Sequence, residues 1–161
     1  VNETPLPDES AREYVLRIAQ AKAHAAQRQH GPHPVLGSDT TVEVDGRILG
    51  KPANKADGMG MLLALSGKTH RVLTAVVIAG AKEHWLISES LVSMRVISAQ
   101  EAEAYWATGE PADKAGGYAV QGMGAIFISR ISGSYSGVMG LPLYETASLL
   151  EKEGIQIFRK L

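Results

Sequence analysis

Two long runs rich in Val and Ile, residues 69–80 and 85–97, are separated only by a short connection around Ala81-Lys82-Glu83. Runs of this kind read as a pair of neighbouring strands, and a strand pair needs further layers to cover its apolar side chains. A second pair precedes it. Val35–Val44 is strand-like, with β-branched residues dense after Asp39; Asp45-Gly46 is a two-residue hairpin signal, and Arg47-Ile48-Leu49-Gly50 returns to Lys51-Pro52.

Helical segments alternate with these pairs. After an extended, Pro-rich arm (1–9), Ser10 and Glu13 form a capping box for a helix to about Gln29, with Val15, Ile18, Ala19 and Ala25 on its apolar stripe. His30-Gly31-Pro32-His33-Pro34 ends it. Asn54 caps a second helix carrying Met59, Met61, Leu62, Leu63 and Leu65, with Gly67 at its C-terminal side. Ser98 and Glu101 cap a third that ends at Gly109. Residues 110–124 read as a Gly-rich loop, 125–129 as a strand, Pro142 as the opening of a helix to Gly154, and Ile155–Phe158 as a final strand. Helices interleaved with hairpin pairs predict an α/β fold with a mixed β-sheet flanked by helices.

Composition narrows the function. The 161 residues fit a single domain able to bury a core. Lys and Arg number 16 against 17 Asp and Glu, a net charge of −1, which argues against nucleic acid polymers or anionic membranes as partners. No apolar run approaches the ~18–20 residues that cross a bilayer, and no signal peptide is visible in a chain that begins at Val1. The absence of Cys excludes thiolate metal sites and Cys nucleophiles and fits a reducing, cytoplasmic setting. The histidines (His24, His30, His33, His70, His84) show no metal-binding spacing and read as structural or surface residues.

Several polar residues stand where chemistry is expected. Asp39 lies in a segment that reads as buried; a carboxylate there needs a partner, a metal or a catalytic task, or caps a turn. Lys51 is directed by Pro52, or is an ordinary solvated charge. The stretch from Asp113-Lys114 through Gly116-Gly117-Tyr118 to Gln121-Gly122 is dense in glycines that permit close ligand approach or simple turns. The Gln121 carboxamide matches the N3–H and O4 of uracil or thymine, and equally suits a strand-end cap. Gly133-Ser134-Tyr135-Ser136-Gly137 reads as either a phosphate-binding turn or a plain connection.

These stretches together resemble one family, the Maf-like nucleoside triphosphate pyrophosphatases, also called septum formation inhibitor proteins. The resemblance rests on Glu3 with its Pro-rich arm, Ala21-Lys22-Ala23, Leu36–Thr40, Ile48–Pro52, Leu65–His70, Asp113–Tyr118, Gln121-Gly122 and Gly140–Thr146, in the family's order. It implies an elongated fold related to the inosine triphosphate pyrophosphatases, a homodimer, a divalent cation (Mg²⁺ or Mn²⁺), and cleavage of a nucleoside triphosphate between its α and β phosphates. Carried over by residue, Asp39 matches the proton acceptor. Thr40 and Gln121 match positions tied to base specificity, and Glu3, Lys22, Lys51, Asp113 and Lys114 match polar positions around phosphates and metal. The Gln121 version resembles the dTTP/UTP subgroup. Family members start with a strand and a Ser-x-Ser-Pro-Arg-Arg phosphate loop, and this chain begins after both, so 1–161 is expected to be a single Maf-like domain lacking them. Asn2 stands where an acidic residue is common.

The expected mechanism places a cation between Glu3 and Asp39, uses Asp39 to orient or deprotonate water, and offsets phosphate charge with Lys22, Lys51 and Lys114. The alternatives are a non-catalytic nucleotide-binding regulator of septum formation and cell division, and a purine-selective pyrophosphatase on the related fold.

Overall fold

The strand Thr69–Ala79 (β3) is the centre of the molecule because it is apolar on both sides: Val72, Leu73 and Ala75–Ala79 are all buried. A strand buried on both faces belongs in the middle of a sheet. In the computed structural model, which describes residues 1–158, β3 pairs on one side with β1 (Val35–Val44) and on the other with β4 (Glu83–Met94). The hairpin partner of β1, β2 (Arg47–Leu49), and β5 (Ile128–Ser132) complete a five-stranded sheet in the order β2-β1-β3-β4-β5. Every pairing is antiparallel. The sheet flanked by helices is thus as the sequence predicts, and the sequence-adjacent hairpins set the direction of its strands.

Alternation along β3 divides the core. Leu73, Ala75, Val77 and Ala79 face α1 (Ala11–His30), which buries Val15, Ile18, Ala19 and Ala23 against them. Ser10 and Glu13 cap this helix reciprocally as expected. The opposite face carries two separate clusters. At one end Val72, Val42 and Val92 pack under α2 (Lys55–Leu65) and α3 (Ala99–Ala107). At the other, Val76 and Ile78 meet Leu149 of α5 (Leu143–Lys152). Thr74 lies between them, and a cleft opens beside it.

Three expectations are corrected. The strand assigned to 125–129 begins later: Met123–Phe127 is a 3-10 turn and β5 starts at Ile128. The Met123 and Gly124 N–H groups donate to the Glu110 carboxylate and are therefore lost to a strand ladder. Ile155–Phe158 forms no strand. The chain instead folds back on the end of α5, with Gly154 at φ 75° and the Ile155 N–H donating to the Leu150 carbonyl. Residues 110–117, expected as loop, contain two short 3-10 turns, Glu110–Asp113 and Ala115–Gly117.

Candidate active site

The register of β1 on β3 places Asp39 opposite Ala75, on the α1 side of the sheet. Close seating of α1 there depends on Gly37. A Cβ at position 37 would stand 2.7 Å from the Ala19 carbonyl oxygen and 2.8 Å from the Ala23 amide nitrogen. With the helix this near, Lys22 Nζ donates to Asp39 Oδ1 at 2.6 Å and meets Glu3 Oε1 at 2.8 Å. Glu3 is held by its arm: the Tyr14 hydroxyl donates to the Glu3 carbonyl at 2.9 Å, and Arg17 holds Thr4 and Glu9.

The Asp39 side chain is 9% exposed. Burial pushes its carboxyl above the ordinary aspartate range, and the Lys22 ammonium pulls the other way without cancelling it. Burial works against the Lys22 charge, but its hydrogen bonds to Asp39 and Glu3 outweigh that and hold its pKa high. Asp39 is therefore a more basic carboxylate than a solvated one, kept next to a fixed cation.

Thr40, the next residue, points to the opposite face. Its hydroxyl meets that of Thr74 at 2.9 Å, and Thr74 donates to the Gly137 carbonyl at 2.6 Å. The cleft beside this pair is lined by Lys22, Asp39, Thr40, Lys51, Asp113, Lys114 and Gln121. Glu3 lines the adjoining pocket with Asp39 and Lys51. Every predicted site residue is thus drawn to one region from five separate stretches of chain. The Gly116 N–H, donating to the Gly50 carbonyl at 3.0 Å, ties the 113–118 stretch to the end of β2. Gly116 has φ 72° and its Cα lies close on Val42, which only a glycine allows.

The cations are not equivalent. Lys114 pairs with Asp113 at 2.6 Å, and Lys22 with two carboxylates, whereas Lys51 is exposed and has no ion-pair partner among the described residues. Its charge reaches Asp39 and Glu3, lowering both carboxyl groups. The Gln121 side chain makes no hydrogen bond to another described residue and is exposed in the cleft, so it is not a strand-end cap.

Glu3 and Asp39 are hard oxygen donors close enough to share one ammonium, a set that suits Mg²⁺ or Mn²⁺. No group of three or more His, Asp or Glu able to hold a metal exists among the described residues. The fit is therefore to a cation held by two carboxylates with substrate oxygens and water, not to a closed protein cage.

The Gly133–Gly137 stretch resolves as a connection. Ser134 caps the five-residue helix α4 (Tyr135–Met139) by accepting the Gly137 N–H, and the Leu143 N–H donates to Ser136. His70 is buried on β3, with Nε2 2.7 Å from the Tyr118 hydroxyl. Sequence reasoning missed two supporting residues, Tyr105 and Glu110, which bind the backbone around Gln121. A Glu just after a helix-ending Gly109 and just before Pro111 carries no motif, so no local signal marked it.

Comparison with known proteins identifies the family of the chain. A family model described as Maf-like protein matches residues 1–153. A dTTP/UTP pyrophosphatase of Pasteurella multocida is 46% identical over 168 residues, covering 98% of this chain and 84% of that protein. Those of Nitrosospira multiformis and Alkalilimnicola ehrlichii are 52% and 51% identical, covering 99% and 94% of this chain and 80% and 78% of theirs. The chain belongs to the Maf-like family.

Proposed function

We propose that this protein hydrolyses UTP and dTTP to the monophosphate and pyrophosphate. The observation that carries the reading is the convergence in one cleft of a buried carboxylate, an unpaired ammonium and an unpaired carboxamide: Asp39, Lys51 and Gln121. Asp39 accepts a proton from the attacking water, its burial bringing it nearer the basicity the step needs. The water oxygen bonds to the α phosphorus as the bond to the α–β bridging oxygen breaks, and pyrophosphate leaves with that electron pair. Lys51, joined by Lys22 and Lys114, neutralises phosphate charge, the largest requirement of such a transfer. Glu3 and Asp39 would hold the divalent cation, which supplies charge neutralisation at the phosphates when bound. Asp113 keeps Lys114 in place at the rim. Thr40 and Gln121 face the base, the carboxamide accepting from N3–H and donating to O4. The same reading includes a homodimer, supported by the exposed Leu141, Leu143 and Tyr144 and tested by light scattering.

The test is separation of products by HPLC after incubation with UTP, dTTP, CTP and GTP, with Mg²⁺ or Mn²⁺ and with chelator. Monophosphate and pyrophosphate from UTP and dTTP are expected, with activity lost on chelation. Nucleotide binding without product would assign the chain to a non-catalytic regulator instead.

A further inference from the structure

Gln121 sits at the tip of a segment whose backbone is gripped on both sides. Upstream, the Ala119 N–H donates to the Tyr105 hydroxyl at 3.1 Å. Downstream, the Met123 and Gly124 N–H groups donate to the two Glu110 carboxylate oxygens at 2.8 and 3.0 Å. The grips are joined, because the Tyr105 hydroxyl donates to Glu110. Tyr105 is itself buried in α3, edge-on to Phe127 at 5.3 Å between ring centres. Gly122 lies so close to the Glu110 carboxylate that a Cβ there would collide with it. Burial opposes the charge on Glu110, but its hydrogen bonds outweigh that and hold its pKa below the usual glutamate range, so it stays a full acceptor at neutral pH.

A free carboxamide does not discriminate uracil from cytosine. Turned by half a rotation about its last bond, Gln121 offers the reverse donor and acceptor order and suits cytosine equally well. Backbone amides cannot reverse in this way. The backbone groups of Val120 and Gln121 make no hydrogen bond within the described residues, although both residues line the cleft. Selectivity therefore depends on the position of this short stretch, which the grips at either end hold together with a turn bond from the Gly122 N–H to the Ala119 carbonyl at 3.4 Å.

We propose that Glu110 and Tyr105 are positioning residues for base selection, fixing the Ala119–Gly124 backbone so that its polar groups and Gln121 accept uracil or thymine and reject cytosine. The inference rests on the reading that Gln121 faces the base. Neither side chain touches substrate; both act through the segment.

The experiment compares Glu110→Gln and Tyr105→Phe with Gln121→Ala in the full-length protein, measuring kcat and KM for UTP and CTP and amide hydrogen exchange over 119–124. Tyr105→Phe keeps the core packing and removes only the hydroxyl, so it reports on the grip even if Glu110→Gln folds poorly. Both grip variants should lower the UTP:CTP ratio of kcat/KM by about tenfold, mainly through KM for UTP, the scale of one misplaced polar contact. Exchange at 119–124 should quicken, and Glu110→Gln added to Gln121→Ala should lower the ratio no further. If Gln121→Ala collapses the ratio while both grip variants preserve it, the inference is overturned and the base reading stands. Equal losses on both nucleotides, with the ratio intact, would show a merely structural clamp and also overturn it. If Gln121→Ala itself preserves the ratio, the base reading fails and the inference goes with it.

Discussion

At the scale of single residues, the pair Asp39–Lys22 and the buried His70 make opposite use of charge. Asp39 sits in a place that opposes ionisation, and Lys22, 2.6 Å away, favours its charged form. Asp39→Asn keeps the shape and removes the proton acceptor, and is expected to lower kcat by about 10²-fold or more with the fold retained, as general-base losses do. Lys22→Met removes the pull that opposes burial, so the Asp39 carboxyl rises further. The acid limb of the kcat/KM profile should then move to higher pH; a limb that stays in place would show that Asp39 does not carry it. His70 has no compensating neighbour. Burial drives its pKa from 6.5 to about 4, and its Nδ1 has no hydrogen-bond partner. The unfolded chain takes up this proton as pH falls below 6.5, whereas the folded protein does not until about 4. Stability therefore falls with pH across that window, at about 1.4 kcal/mol per unit for one proton and up to about 3 kcal/mol in all. Urea titrations of His70→Gln between these pH values should show a shallower dependence than the parent; parallel curves would count against it. Asp39 was legible as a buried carboxylate from its apolar flanks, but its pairing with Lys22, seventeen positions earlier on a helix, was not legible from spacing; family resemblance pointed to Lys22 only as a polar position around phosphates and metal.

At the scale of elements, α1 illustrates how a strand glycine positions a side chain of the candidate site. Gly37 admits the helix backbone, and the helix carries Lys22 to Asp39. Gly37→Ala would push the helix outward. The expected loss is about 1–3 kcal/mol by overpacking, or several degrees of Tm at this chain length, with kcat reduced because Lys22 withdraws. Calorimetry and steady-state rates on one preparation check both. The capped helices and the Asp45-Gly46 hairpin were readable because their signals are local: a reciprocal Ser–Glu pair or a turn dipeptide decides them within a few residues. The start of β5 and the end of the chain were not. Met123–Phe127 is drawn into 3-10 form by Glu110, and Ile155–Phe158 follows a turn that folds back on the end of α5 instead of joining the sheet. In both cases apolar pattern gives the face, but strand formation needs a partner that sequence does not name.

At the scale of the whole molecule, one sheet face carries two separate clusters, Val72 with α2 and α3, and Val76 and Ile78 with α5, and the cleft is lined from the first through Val42, Val72 and Tyr118. A nucleotide seated there touches walls from segments far apart in the chain, with Tyr118 and Ala119 in one and Val138 to Gly140 in the other. Such a ligand binds the folded chain and has nothing to bind in the unfolded one. A non-hydrolysable UTP analogue with Mg²⁺ at a hundred times its Kd should therefore stabilise the protein by about 2.7 kcal/mol. For a chain of this size that is a rise of about 5–10 °C in Tm. With net charge near zero, the proposed attraction for a triphosphate is local, and Lys51 is the lysine of the cleft that has no ion-pair partner among the described residues. Lys51→Met should therefore abolish most of the Tm rise at the same analogue concentration while leaving the unliganded Tm nearly unchanged, since Lys51 has no ion-pair partner among the described residues. An undiminished rise in that variant would place the triphosphate away from Lys51.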